Sequence, residues 1–206
     1  MSAVDEAMIE LHRRAEVTSK VRYEAARRLM AHNLFSQWTL AILAVGQITI
    51  SVVDALDVPL NYSDRYLAFG GIFFGTLVLA YSLLLGMSNF SARSVQLHKC
   101  GLELGELARE LYLKSRLIGS SQFLYSEYAK RYYVILGQYE NHEDIDYRFT
   151  KFFMKNDSRN GLGIWNLGRT WEGVMLKFVY LFGFSHYVAT SSLMALWLWS
   201  SIPKGG

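Results

Sequence analysis

No Asp, Glu, Lys, Arg or His occurs between Tyr66 and Met87, a run of twenty-two residues with Asp64 and Arg65 before it and Arg93 after it. As a helix rising ~1.5 Å per residue it covers roughly 33 Å, enough to cross the ~30 Å hydrocarbon of a bilayer. Such a segment is a membrane span, and every other part of the chain is placed relative to it.

A second run free of charge, Leu34 to Val53, precedes it, with Trp38 near one end where an indole suits the membrane interface. The connection DALDVPLNYSDR is short and acidic, and Pro59 marks a turn, so the two runs form a helical hairpin. Phe178 to Ile202 is a third run without Asp, Glu, Lys or Arg, with two Trp near its far end and Pro203 beyond. It is predicted to span as well, although His186 and Thr190-Ser191-Ser192 at its middle leave a re-entrant or surface helix as the alternative. With 51% hydrophobic residues and a mean hydropathy of only +0.13, the chain needs a substantial water-facing part besides these spans.

The water-facing part reads as helices. Residues 3–35 carry Met8, Leu11, Ala15, Thr18, Ala25 and Leu29 at three- and four-residue steps among Arg and Glu. After the second span, Leu97, Leu104, Leu111 and Ile118 are seven apart, with Cys100 and Leu107 between them, the pattern of a bundle or coiled-coil helix. No proline separates this helix from the span, so it is expected to run on into water with a bend near Gly86. After a break at GSSQ, a helix with a Tyr125, Tyr128, Tyr132, Ile135, Tyr139 stripe follows, then a capped short helix from NHEDIDY. KNDSRNGLG is a linker by composition, and Trp165, Arg169, Trp171 and Lys177 suit a segment at the membrane surface. The fold predicted is an all-α membrane protein. Residues 1–33 form a cytoplasmic amphipathic helix and 34–87 a transmembrane hairpin with spans at about 34–53 and 66–87. Residues 88–160 form a cytoplasmic helical bundle, 161–177 an interfacial segment and 178–202 a third transmembrane helix.

Lys and Arg fix the expected orientation. Six lie before the first span, one between the first two, and thirteen between the second and third. The positive-inside rule then puts the N-terminus and the middle segment in the cytoplasm. The first thirty-three residues lack the shape of a signal peptide, and a single cysteine, Cys100, forbids an intrachain disulfide and suits a reducing compartment. A net charge of +3 gives no reason to expect nucleic acid as a direct partner.

Enzyme signatures are missing: no phosphate-binding Gly-Lys-Ser/Thr loop, no His-Glu-x-x-His, no Gly-x-Ser-x-Gly, and five His without metal-ligand spacing. Catalysis, metals and cofactors are not expected. Other constellations bear on membrane work. Gln47, Ser51 and Asp54 make a polar stripe on the first span, and His186 with Thr190 share a face of the third. Either set can line a water-filled path in an assembly, or simply bond to neighbouring helices. Gly71 and Gly75 form a Gly-x-x-x-Gly pair that lets another helix approach closely. Leu97, Leu104 and Leu111 are candidates for helix packing or oligomerisation. Tyr128 and Tyr132 can stack a ligand or pack a core. Asn141, His142, Asp144 and Asp146 suit either a helix cap, with Asn141 as N-cap, or a signal or partner contact.

Four pieces together resemble the SLATT superfamily of bacterial membrane effectors: the basic run RYEAARRL before the first span, the close hairpin, the HKCGLELGEL helix and the YENHEDIDY segment. With a C-terminal apolar segment added, they are similar to one subgroup of it over roughly residues 20–200. The resemblance implies a multi-pass protein of the bacterial inner membrane that acts in antiphage, abortive-infection defence. It would be a homo-oligomeric pore-forming or membrane-disrupting effector in contact with lipid. Cytoplasmic helices would hold it closed, and a nucleotide second messenger or a partner such as a nucleotide cyclase or reverse transcriptase would open it. The alternative is a membrane anchor or scaffold that recruits or restrains a cytoplasmic defence enzyme.

Overall fold

A computed structural model of the chain describes residues 3–57, 59, 63–117, 122–157 and 167–202. These contain seven helices: α1 (Ala3–Ala55), α2 (Asp64–Ser88), α3 (Phe90–Leu117), α4 (Gln122–Gln138), α5 (Asp144–Asp157), α6 (Leu167–Phe182) and α7 (Ser185–Ser201). The protein is an all-α membrane protein. Two helices are long and apolar enough to cross a membrane, α1 and the one that starts at Asp64; a bent C-terminal pair makes a third candidate. Most of the GSSQ break, most of the KNDSRNGLG linker, Trp165, Ile118 and Pro203 lie outside the described residues.

The amphipathic arm and the first span are one helix. Between Ala3 and Val45 the chain has neither Gly nor Pro, the two strongest helix breakers, and α1 runs unbroken past Asn33, where the composition changes from charged to apolar. α2 passes straight through Gly86, where a side chain would meet nothing, and ends instead at Asn89, which takes the left-handed φ of 47°. Asn tolerates that conformation better than most residues and is a common helix terminator. The apolar run 178–202 is interrupted. It includes the end of α6 and all of α7, and the two pieces bend by 54° across Gly183 and Phe184. α7 alone, with seventeen residues, rises roughly 26 Å, short of a full ~30 Å crossing.

The chain divides into two compact units. Unit 1 takes in α1 up to Met30 and α3 to α6 up to Phe178. Its core joins Met8, Leu11 and Ala15 of α1 to the α3 seam (Cys100, Leu104, Leu107, Leu111) and to Tyr128, Tyr132 and Ile135 of α4. Leu97, Leu104 and Leu111 are all buried. Removing such a side chain from water stabilises by about 1.5–3 kcal/mol, so the seam is already used inside a single chain. Polar groups close the packing: Ser19 donates to the Gly101 carbonyl at 2.7 Å and Ser94 to that of Ala26 at 2.8 Å.

Unit 2 takes in α1 from Ala31, α2 and α7, with Leu43, Ile50, Leu67, Phe74 and Met194 at its centre. Its outward residues, among them Ile42, Val45, Phe69, Ile72, Leu79, Leu83 and Leu196, are large, apolar and exposed. In lipid that arrangement costs nothing, and close packing rather than apolar burial must hold the helices together.

Candidate functional site

Three arginines of unit 1 converge on one place, where the RYEAARRL segment of α1 meets the connection from α4 to α5. Arg28, on α1, donates to both oxygens of Asp146, Nε to Oδ1 at 2.8 Å and Nη2 to Oδ2 at 3.1 Å. Asp146 is fully buried and also accepts the backbone N–H of Glu143 at 3.2 Å. Its place in the first turn of α5 adds the favourable end of the helix dipole. Arg28 makes a second ion pair with Glu143 at 3.0 Å. Burial opposes the guanidinium charge, but hydrogen bonds and attraction to Asp146 and Glu143 outweigh it and leave the Arg28 pKa raised.

Nearly two turns earlier on α1, Arg22 is 2% exposed and donates to the Glu140 carbonyl and, at 3.1 Å, to the Asn141 side-chain oxygen. Its Nε has no partner among the described residues. Arg93, at the start of α3, donates to both Glu140 carboxylate oxygens at 2.9 and 3.0 Å. Beside these groups His142 is half-buried, with Nδ1 unpartnered among the described residues. Burial, and next the nearby Arg22 charge, lower its pKa below 6.5. The result is a polar latch in which three arginines hold one short connection, and its buried Arg28–Asp146 pair is joined by a planar, two-pronged bond.

The structure sorts the residues singled out from the sequence. Asn141 is not an N-cap: α5 starts at Asp144, preceded by Glu143, and Asn141 instead accepts from Arg22. Asp144 is exposed. Tyr128 and Tyr132 are core residues, 5% and 8% exposed, their hydroxyls meeting Glu110 at 3.4 Å and Thr18 at 3.2 Å. In unit 2, Gln47 lies over the Gly71 and Gly75 pair; a Cβ at either glycine would sit 3.8–3.9 Å from its side-chain amide, in ordinary contact. The Gln47 Oε1 atom is buried without a partner among the described residues, Ser51 donates to the Gln47 carbonyl at 3.1 Å, and Asp54 is exposed. His186 and Thr190 are joined through Tyr81 of α2, whose hydroxyl is 2.9 Å from Thr190 Oγ1 and 3.4 Å from the His186 carbonyl.

Three features escaped the sequence reading. The tight glycines of unit 2 are Gly46 and Gly70, where a Cβ would come within 2.5 Å of Met194 and 2.2 Å of the Trp197 ring. Trp197 also stacks on Tyr66, with centroids 5.7 Å apart. In unit 1 a second Gly-x-x-x-Gly pair, Gly101 and Gly105, lets Tyr23 and Ser19 of α1 approach α3, with a Cβ there only 3.1 and 3.2 Å from them. The spacing within HKCGLELGEL was the available signal. The third feature is the arginine set itself, since basic residues before a span read first as orientation signals.

Compared with known families, residues 4–198 match the model of the SMODS and SLOG-associating 2TM effector domain family 5. No curated protein and no solved structure matches the chain.

Proposed function

Because the chain belongs to the SMODS and SLOG-associating 2TM effector domain family 5, whose members are membrane effectors of defence systems, we propose that it acts by breaching the membrane. Several copies would assemble a pore in the bacterial inner membrane, with unit 1 in the cytoplasm as the positive-inside count expects. Unit 1 keeps the pore closed until a nucleotide signal or partner protein repacks it. The observation that carries this reading is the continuity of α1. The helix that supplies the first span is the one held through Arg22 and Arg28, so a change in the latch acts directly on a membrane-crossing element. Ser51 and Asp54, exposed on that helix, are the groups that an assembled pore would wet.

The test is membrane potential in bacteria. Arg28→Met loosens the latch by stranding the buried Asp146 carboxylate and should depolarise cells without a trigger, whereas adding Asp146→Leu should restore the resting potential. Unchanged potential in the single variant, and in phage-infected cells carrying the unaltered protein, would sink the pore reading.

A scaffold role is the second reading, favoured by Phe123, Tyr133 and Val134, which are large, apolar and exposed on α4. It predicts that unit 1 captures a defence enzyme while the membrane stays sealed.

A further inference from the structure

Between α1 and α3 of unit 1 lies a groove of about 540 Å³, the volume of a small-molecule site. Glycine in a helix interior costs about 1 kcal/mol relative to alanine, so two within one turn of α3 call for a reason. Gly101 gives it through Tyr23, whose ring comes within 3.1 Å of where a Cβ would be. Gly105 gives it twice, admitting Ser19 and leaving the floor of the groove open.

Two walls are aromatic and held in place. Tyr23 is braced edge-on by His98, with centroids 5.1 Å apart at 64°, and Tyr112 leans on His12 at 5.7 Å. His12 Nδ1 is 2.9 Å from the Ala108 carbonyl. A carbonyl only accepts, so Nδ1 carries a hydrogen and donates it there. The charged lining consists of Lys20, Arg109 and Glu16. Glu16 is taken by Lys20 at 2.8 Å, whereas Arg109 forms no ion pair among the described residues, leaving an excess positive charge.

We propose that this groove binds a small molecule in which a flat ring is joined to a negatively charged group. The ring stacks on Tyr23 or Tyr112, and the anion meets Arg109, whose planar fork suits phosphate or carboxylate. The site stands on the geometry of the groove. That its ligand is the trigger of the membrane effect rests on the pore reading above.

Titration calorimetry on the detergent-solubilised full chain decides it, with adenosine monophosphate and flavin mononucleotide as ring-plus-anion probes. Adenosine serves as ring alone and inorganic phosphate as anion alone. At least one combined probe should bind more tightly than either part. Arg109→Glu and Tyr112→Ala, both at exposed positions, should each weaken it about tenfold or more, a loss of about 1.4 kcal/mol. Leu113→Trp, which fills the groove from an exposed position, should do the same. No binding of either combined probe at millimolar concentration, phosphate binding as tightly as both, or affinity unchanged in all three variants would overturn the site. Liposome leakage separates the two claims. Binding without leakage keeps the site and removes its role as trigger; leakage without binding keeps the pore and removes the site.

Discussion

Arg28 and Asp146 stand 118 residues apart in the chain and meet as a two-pronged ion pair whose carboxylate is wholly buried. Breaking such a pair from one side leaves the other charge stranded. Arg28→Met alone should therefore cost about 3–5 kcal/mol in chemical unfolding of the solubilised protein. Adding Asp146→Leu should recover most of that loss. Equal destabilisation by the single and double variants would show that the pair carries no such coupling.

His142 makes unit 1 sensitive to mild acid. Its pKa is lowered by burial and by Arg22, so below about 6.5 the unfolded chain binds a proton that the folded chain refuses. Stability is then fully present above pH 6.5 and falls as the pH drops below it. Glu10, held down to about 2 by its bonds to Arg13 and Arg14, contributes only in a more acid range, from 4.5 downwards. His142→Gln should flatten the melting temperature between pH 5 and 7, and an unchanged slope would remove His142 as the cause.

Glycines that look alike from the sequence should behave differently. Gly70→Ala drives a methyl into the rigid Trp197 ring and should destabilise by about 1–3 kcal/mol, with a change in tryptophan emission. Gly71→Ala meets Gln47 only at contact distance and should be neutral or slightly stabilising through helix propensity. Thermal melts in detergent compare the two, and equal effects would contradict this packing.

Leu104→Ala tests whether the heptad seam belongs to the fold of one chain. Leu104 is fully buried between α1, α3 and α4, so the substitution should cost about 2–5 kcal/mol at any protein concentration. If the loss appeared only as dissociation of copies on dilution, the seam would be an interface between chains.

Charge-free length made the α2 span legible, because a bilayer's thickness translates directly into residue count. Seven-residue spacing likewise made the α3 seam legible, and three- and four-residue spacing the Tyr128, Tyr132 stripe, since each marks one face of a helix. The break within 178–202 was harder to foresee, because a single Gly183 in an apolar run bends some helices and not others.

Sequence by itself determined that this chain is helical, that two helices suit a bilayer, and which faces must be hidden. All three follow from local composition and period. Tertiary structure alone decided which hidden groups meet: Arg28 with Asp146, Gly70 with Trp197, Gln47 over Gly71 and Gly75. Periodicity specifies a face but not the partner opposite it. The partner is set by how helices distant in sequence interlock, where a missing Cβ or a fitting guanidinium fork selects one register among many.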